Sequence, residues 1–222
     1  MNETENAKKE ILAVGCALLD KGLVAGTWGN ISCRIPGGHF IAVTPSGKNY
    51  RELSPEDITV VTMEGGVVEG NFKPSSELPL HLAIYKARSD IQAIVHTHSI
   101  FASACAVARK SIPPVIEDLV QLAGGSIDVA EYALPGTAQL AENVVAALGK
   151  KNAVLMANHG VVGCGQSLKE AMLACELVEK AAQIFIYANQ IGGAHVLSEE
   201  DVKVMHDFYV AYYRQRQEGE NI

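Results

Sequence analysis

The chain has 222 residues, a hydrophobic fraction of 48% and a formal net charge of −7 at pH 7. These values predict one globular domain over residues 1–222 and argue against binding of duplex nucleic acid, which needs a basic surface. Five cysteines without C-x-x-C spacing, a polar N-terminus and no run approaching the roughly 20 apolar residues of a membrane span predict a cytoplasmic protein with reduced thiols and no membrane partner.

The first part of the chain is predicted to form a helix, two strands, a helix start and a hairpin, over residues 5–21, 31–35, 39–47, 53–58 and 57–70. Gly22 is a natural stop for the first helix. Ser54 suits an N-cap and Pro55 the first helical position. Gly65 and Gly66 suit the turn of the hairpin.

The rest of the chain is predicted to form a helix, a strand, a helix, a buried strand with its turn, and two more helices, over residues 76–88, 91–99, 136–150, 153–164, 167–190 and 198–215. Thr137 suits a helix cap, and Ser167 with Glu170 has the spacing of a capping box, as does Ser198 with Asp201. This mixture predicts an α/β protein, a three-layer α/β/α domain around a mainly antiparallel central sheet.

Two histidines stand one residue apart in the apolar segment AIVHTHS, at His96 and His98. In a strand, residues i and i+2 point to the same face, so both imidazoles project side by side and could share one metal ion. Imidazole is a ligand that zinc prefers. Two structural histidines held by hydrogen bonds are the alternative interpretation of this pair alone.

A third histidine, His159, lies in the segment NHG at the end of another apolar run, where Gly160 permits close backbone approach. Three histidines make an incomplete tetrahedral set, and a carboxylate or a substrate oxygen could complete it. The other four histidines lack this placement: His39, His81, His195 and His206. Of these, His81 is a candidate supporting partner, because it lies in the helix that follows a serine pair.

That serine pair, Ser75 and Ser76, precedes Glu77 at a predicted helix N-terminus. Hydroxyls and exposed N–H groups there form a natural anion site, although a simple helix cap explains the same residues. Two glycine-containing turns, over residues 27–32 and 44–48, could supply further donors. Neutral donors can hold a phosphate locally even in an acidic protein.

The motifs GN, PSG, SSE, HTHS and NHG, in this order, resemble the class II aldolase/epimerase family, which also includes adducin-type members, over about residues 7 to 213. Within that family the chain is most like the L-fuculose-1-phosphate aldolases. The resemblance implies a Zn²⁺ ion, or another divalent ion such as Mn²⁺ or Co²⁺, on His96, His98 and His159. It also implies that Glu77 is a fourth ligand or a nearby base.

The resemblance further implies a site for the phosphate of a phosphorylated sugar, formed by Gly29, Asn30, Ser46, Gly47, Ser75 and Ser76. It implies a C4 homotetramer with active sites at subunit interfaces. A C-terminal tyrosine of a neighbouring subunit is expected in each site. An ungapped match places it at Tyr212, with Tyr213 and Tyr209 as the other choices.

These residues suit the cleavage of a ketose 1-phosphate into dihydroxyacetone phosphate and an aldehyde. The implied metal would stabilise the enediolate charge as a Lewis acid. Glu77 would exchange a proton with the dihydroxyacetone phosphate carbon as the general base. The 4-epimerase branch of the family carries aspartate at this position, so Glu77 argues against an epimerase.

One residue departs from the fuculose-phosphate aldolases, which carry a tyrosine where this chain has Glu117. The substrate could therefore be L-fuculose 1-phosphate or a related deoxy- or methylthio-pentulose 1-phosphate. Two alternatives remain open at this stage: dehydration of methylthioribulose 1-phosphate, in which Glu117 would act, and a non-catalytic oligomeric scaffold. A solvated loop position is the other interpretation of Glu117.

Overall fold

The computed structural model describes residues 3–37 and 39–214. Its helices are α1 Glu3–Asp20, α2 Leu78–Ala87, α3 Ile100–Val107, α4 Glu117–Ala123, α5 Ala138–Leu148, α6 Leu168–Gln190 and α7 Glu199–Phe208. Its strands are β1 Asn30–Arg34, β2 Phe40–Val43, β3 Thr59–Thr62, β4 Val67–Glu69, β5 Ala93–Thr97, β6 Val129–Ala130, β7 Ala153–Met156 and β8 Gly160–Gly165.

These strands form one sheet in the order β4-β3-β2-β1-β5-β8-β7-β6. Every neighbouring pair is antiparallel except β6 and β7, which are parallel. Strand β5 lies at the centre of the order, between β1 and β8, where Asn30 pairs with His96 and Val161 with Thr97. The regular geometry of antiparallel pairing therefore places the ends of these three strands side by side.

Both faces of the sheet are covered, because its central strands are apolar on both sides. In β5, Ala93 and Val95 belong to the core shared with α1, α3 and α6. Ile94 belongs to the second core, shared with α2 and α5. This alternation follows the two-residue period of a strand and confirms the predicted three-layer α/β/α domain with a mainly antiparallel sheet.

Helix α6 lies unusually close to β8 because two glycines face it. A Cβ atom on Gly163 would lie 2.5 Å from the carbonyl oxygen of Ala171, and one on Gly165 would lie 2.7 Å from the Ala171 nitrogen. Any side chain at either position would push the helix away from the sheet. Within residues 3–37 and 39–214, no helix combines the length and apolarity needed to cross a membrane.

Several sequence predictions of secondary structure were wrong in detail, including the strand predicted over 39–47, which ends at Val43. Residues 53–58 form a single 3₁₀ turn, Pro55–Asp57, because the β-branched run that follows enters β3. The predicted strand over 91–99 ends at Thr97, which leaves His98 one residue beyond it. The last helix changes at Tyr209–Tyr213 to π-helical turns, and its predicted end at Gln215 lies outside the described residues.

Candidate active site

Three imidazoles converge at the end of the central strands. His96 is the fourth residue of β5, His98 follows that strand, and His159 lies in the turn between β7 and β8. The Nε2 atoms of His96 and His98 are 2.8 Å apart. One ring nitrogen from each of the three histidines lies within 4.8 Å of the others. The predicted metal-ligating triad is thus brought together.

Gly160 makes this convergence possible. A Cβ atom there would lie 2.3 Å from the carbonyl oxygen of Thr97 and 3.2 Å from the rings of both His96 and His98. The preceding Asn158 has a positive φ of 53°, a conformation that asparagine tolerates better than most residues. The NHG segment therefore combines a tight turn with a glycine that lets β8 approach β5.

His96 has a defined tautomer. Its Nδ1 atom lies 2.9 Å from the carbonyl oxygen of Val161, which can only accept a hydrogen bond. Nδ1 therefore donates, and Nε2 presents a lone pair to the cluster. Burial lowers the pKa of His96 to about 4, with Glu77 opposing the change and His159 adding to it. The imidazole is accordingly neutral at pH 7, as a metal ligand must be.

Glu77 is the N-cap residue of α2, and its buried carboxylate reaches the histidines. Its Oε2 accepts a hydrogen bond of 2.7 Å from the Nδ2 of Asn30 and lies 3.2 Å from the Nε2 of His96. Its Oε1 lies 3.4 Å from the Nε2 of His159 and has no hydrogen-bond partner among the described residues. One carboxylate oxygen is therefore held, and the other remains available.

The charge state of Glu77 follows from opposing effects. Burial raises the pKa of its carboxyl group, but attraction to His96 and His159 and the hydrogen bond from Asn30 outweigh burial, so the pKa lies below its ordinary value. Burial, followed by repulsion from His159, lowers the pKa of His98 as well. At neutral pH the site therefore contains an ionised carboxylate beside the neutral imidazoles of His96 and His98.

A cavity of about 270 Å³ opens beside this cluster. It is lined by Glu77, His98 and His159 together with all six residues predicted to bind phosphate, Gly29, Asn30, Ser46, Gly47, Ser75 and Ser76. Most of these offer neutral donors, from hydroxyls and from the backbone of two glycines with positive φ. One of the two amide hydrogens of Asn30 is committed to Glu77, so Asn30 serves the carboxylate as well as the cavity.

The residues present fit a divalent transition-metal ion. Three imidazoles, of which burial keeps those of His96 and His98 neutral, lie close to a buried carboxylate oxygen that has no hydrogen-bond partner among the described residues. Nitrogen ligands with one carboxylate suit zinc and its neighbours better than magnesium or calcium, which prefer oxygen ligands alone.

Some predicted residues are not at the cavity. Glu117 is the exposed first residue of α4 and is not part of the cavity wall. Tyr212 and Tyr213 are exposed in the π-helical segment, with 54% and 41% of their surface accessible. Tyr209 is buried and donates a hydrogen bond of 3.1 Å to Glu170. A role for Tyr212 in catalysis therefore requires a second copy of the chain.

Four residues of the cavity wall were not among the individually predicted site residues: Thr27, Trp28, Pro45 and Pro135. The first three lie in the two glycine-containing turns that the sequence did indicate. Trp28 is 67% exposed, and its ring centroid lies 6.1 Å from that of His98. An exposed tryptophan is unusual, because its large apolar surface normally packs in a core or an interface. The signal was present in the segment TWGN, where the only tryptophan of the chain stands between a threonine and a glycine.

The chain is similar in sequence to known aldolases. The family model described as "Class II Aldolase and Adducin N-terminal domain" matches residues 9–186. A 5-deoxy-D-ribulose 1-phosphate aldolase of Bacillus thuringiensis serovar kurstaki is 36% identical over 211 residues, which are 95% of this chain and 99% of that protein. An L-fuculose phosphate aldolase of Escherichia coli K12 is 33% identical over 95% of this chain and 97% of its own length.

A solved structure has the same fold. An L-fuculose 1-phosphate aldolase superposes with a TM-score of 0.89 and is 37% identical in sequence, with 92% of this chain and 96% of that chain covered.

The geometry predicts that the triad binds metal. Replacement of His96, His98 or His159 by alanine should lower zinc affinity by more than the roughly 10–100-fold loss typical of residues that only support a ligand. Metal content per chain, measured by mass spectrometry after zinc loading and dialysis, checks this. The exposed His195→Ala is the control and should bind as the unmodified protein does. Full occupancy in any two of the three variants would contradict the assignment.

Proposed function

This chain belongs to the class II aldolase and adducin family, and we propose that it is a metal-dependent aldolase whose ketose 1-phosphate substrate is a short deoxy sugar phosphate such as 5-deoxyribulose 1-phosphate. Cleavage between C3 and C4 would give dihydroxyacetone phosphate and acetaldehyde. L-fuculose 1-phosphate, cleaved to lactaldehyde instead, is the second candidate. The observation that carries the proposal is one cavity lined both by the proposed phosphate donors and by Glu77 with two of the histidines.

The phosphate is proposed to bind to the neutral donors of the cavity. Ser46, Ser75 and Ser76 offer hydroxyls, and the turn at Gly47 leaves open space beside its backbone. A bound phosphate fixes C2, C3 and C4 relative to Glu77. This orientation raises the reaction rate, because the reacting groups are already in place. Because these donors carry no charge, they bind the dianion without drawing the catalytic carboxylate toward them.

Three histidines are proposed to hold the metal ion, and Glu77 would complete the ligand set only while no substrate is bound, so that its Oε1 is free to act as the base. When bound by His96, His98 and His159, a divalent ion supplies Lewis-acid stabilisation of the negative charge that develops on the ketose oxygens. The proton chemistry belongs to the protein. In cleavage, the C3–C4 electron pair passes to C3, and Glu77, which must first take up a proton from water, gives that proton to the carbon. In condensation, its ionised Oε1 removes the same proton.

A proton must also leave the C4 hydroxyl during cleavage. We assign this step to Tyr212 of a neighbouring subunit in a homotetramer. Tyr212 is exposed, and its ring contacts only the exposed Phe208 among the described aromatic residues. Tyr209 is unsuitable, because its hydroxyl is held by Glu170 and burial raises its pKa far above the ordinary value. No observation at the described cavity favours the dehydratase alternative, in which Glu117 would act.

Trp28 supports a substrate with an apolar end. Its exposed indole forms the wall of the cavity next to His98, where it would contact the carbons of the aldehyde half. A methyl group there gains from contact with the ring, whereas a hydroxyl must give up its hydration. This favours 5-deoxyribulose 1-phosphate, whose C5 is a methyl group, over ribulose 1-phosphate.

The proposed substrate is tested by release of dihydroxyacetone phosphate from a panel of ketose 1-phosphates. Trp28→Ala should lower kcat/KM for 5-deoxyribulose 1-phosphate by about fourfold, the effect of no longer burying one methyl or methylene group. It should lower kcat/KM for ribulose 1-phosphate by less. Val67→Ala, at an exposed apolar residue of the edge strand β4, is the control. An unbroken diketone phosphate as the product would show dehydration instead.

The base role of Glu77 predicts that Glu77→Gln loses about 10²–10⁴-fold in kcat while phosphate-ligand binding is retained. The amide keeps the size of the side chain but cannot take a proton. Single-turnover rates and binding of a non-cleavable ketose phosphate separate the two effects. Turnover equal to that of the unmodified protein would refute the assignment.

The assignment of Tyr212 predicts complementation between inactive subunits. Tyr212→Phe should lower kcat more than it raises KM, because the hydroxyl acts when charge develops. Mixing Tyr212→Phe chains with His96→Ala chains should restore about a quarter of the activity, since a random C4 ring pairs intact groups at that frequency.

Failure of the mixture to regain activity, with subunit exchange shown by mass measurement, would place the tyrosine within its own subunit or outside the reaction. Tyr213→Phe is the matched control and should behave as the unmodified protein. Glu117→Gln, assayed in parallel, tests the remaining predicted residue, and a rate loss there would require that α4 also reaches a neighbouring site.

A further inference from the structure

A buried polar network extends from Glu77 into the layer between α2 and the sheet. His81 is completely buried, with its Nε2 2.6 Å from the Oδ1 of Asn30 and its Nδ1 2.6 Å from the Oγ of Ser32. The Ser32 Oγ lies 2.8 Å from the hydroxyl of Tyr85. We refer to Tyr85, Ser32, His81 and Asn30 as the His81 network.

Two regular elements build the His81 network. Glu77, His81 and Tyr85 are spaced four residues apart, so they form one stripe along α2. Asn30 and Ser32 are two residues apart in β1, so they point from the same face of the sheet toward that helix. The side chains of the helix stripe therefore lie opposite those of the strand pair, within hydrogen-bonding distance at every step from Glu77 to Tyr85.

The direction of these hydrogen bonds can be deduced from the last one. A carboxylate only accepts, so the Nδ2 of Asn30 donates to Glu77, and the Oδ1 of Asn30 faces His81. The Nε2 of His81 must then carry the hydrogen. Because burial lowers the pKa of His81 to about 4, the ring holds only that one hydrogen at neutral pH, and its Nδ1 accepts from Ser32.

Ser32 then has its own hydrogen committed to His81, so its oxygen accepts from the hydroxyl of Tyr85. Every bond of the network is consequently donated toward Glu77, from Tyr85 through Ser32, His81 and Asn30. Aligned hydrogen bonds polarise one another in a low-dielectric interior, which strengthens the final bond to the carboxylate.

A purely structural role does not require this arrangement. Burying hydroxyl, imidazole and amide groups has a desolvation cost, and apolar side chains could fill the same layer between α2 and the sheet. The network also ends on one oxygen of Glu77 alone. Oε2 is held, whereas Oε1 is left without a hydrogen bond in the described structure and faces His159.

We propose that His81 is a positioning residue for catalysis, which, with Ser32 and Tyr85, fixes the amide of Asn30 so that Glu77 keeps one carboxylate oxygen bound and turns the other toward the substrate. The proposal rests on the proposed role of Glu77 as the base. It also assigns opposite tautomers to two nearby histidines: His81 carries its hydrogen on Nε2 and His96 on Nδ1.

The first test compares two substitutions of His81. His81→Gln places an amide nitrogen near the former Nε2 and keeps a donor to Asn30, whereas His81→Leu removes it at similar volume. His81→Leu should lower kcat by about 10–100-fold with KM and zinc content little changed, as is typical when a supporting residue of a site is lost. His81→Gln should retain most of kcat, and equal losses in both variants would overturn the proposal.

Asn152→Leu is the control for removal of a buried polar side chain away from the cavity. Asn152 is buried at the start of β7 and donates to the carbonyl oxygen of Leu122. It should lower the melting temperature without lowering kcat. A loss of kcat in Asn152→Leu as large as in His81→Leu would show that the loss reflects general destabilisation, and would also overturn the proposal.

A double-mutant cycle shows whether His81 acts through Glu77. In the Glu77→Gln background, His81→Leu should cause no further loss of kcat, because the base that it positions is already absent. An equal fold-loss in both backgrounds overturns the proposal. If Glu77→Gln alone retains full turnover, the proposed function has failed; if only His81→Leu is without effect, the positioning role has failed and the base role stands.

A readout without turnover is the tautomer of His81. ¹⁵N NMR of histidine-labelled protein should show one buried imidazole protonated at Nε2 that disappears in His81→Gln. A His81 ring protonated at Nδ1 would contradict the deduced direction. Where His81→Leu does not accumulate as folded protein, Ser32→Ala removes the donor to Nδ1 instead; it should lower kcat, and an unchanged kcat would overturn the proposal.

Discussion

The site depends on the antiparallel pairing of β5 with β8. That pairing places Thr97 opposite Val161, so His96 and His98, which flank Thr97, meet His159, two residues before Val161, at one end of the sheet. A shift of register by one residue would turn His96 to the other face and replace its contact with α2 by one with α6. Gly160 fixes the register, because only glycine fits against the carbonyl of Thr97 at that distance.

Neutral groups at the site explain how an acidic protein can bind a phosphorylated sugar without a basic pocket. Burial keeps His81, His96 and His98 neutral, and the phosphate donors that line the cavity are hydroxyls and backbone groups. The ionised Glu77 is then the principal charge of the protein at the cluster. A metal ion bound there would supply the compensating positive charge next to the reacting carbons, instead of next to the phosphate.

Sequence predicted the triad, the serine pair and Glu77 correctly as neighbours, because motif order and strand periodicity constrain these positions strongly. It missed α3 and α4. The first of these, IFASACAV, is apolar nearly all round, so its sequence lacks the 3.6-residue alternation that identifies a surface helix. It also placed Asn30 only in the phosphate site, since its hydrogen bonds to Glu77 and His81 join residues 47 and 51 positions apart. Such long-range partners leave no periodic signal in one sequence.

The N-terminus of α2 must serve two anions, and this accounts for the use of both Asn30 and the serines. Glu77 caps the helix, where the partial positive charge of the helix end favours a carboxylate, and the preceding Ser75 and Ser76 line the cavity proposed for the phosphate. Two negative groups at one helix end repel each other. The hydrogen bond from Asn30 holds the carboxylate on the side of β1 and the histidines, while Ser75 and Ser76 line the cavity. The same helix end can therefore favour both anions, provided that the side chains beneath it keep the carboxylate from turning toward the phosphate.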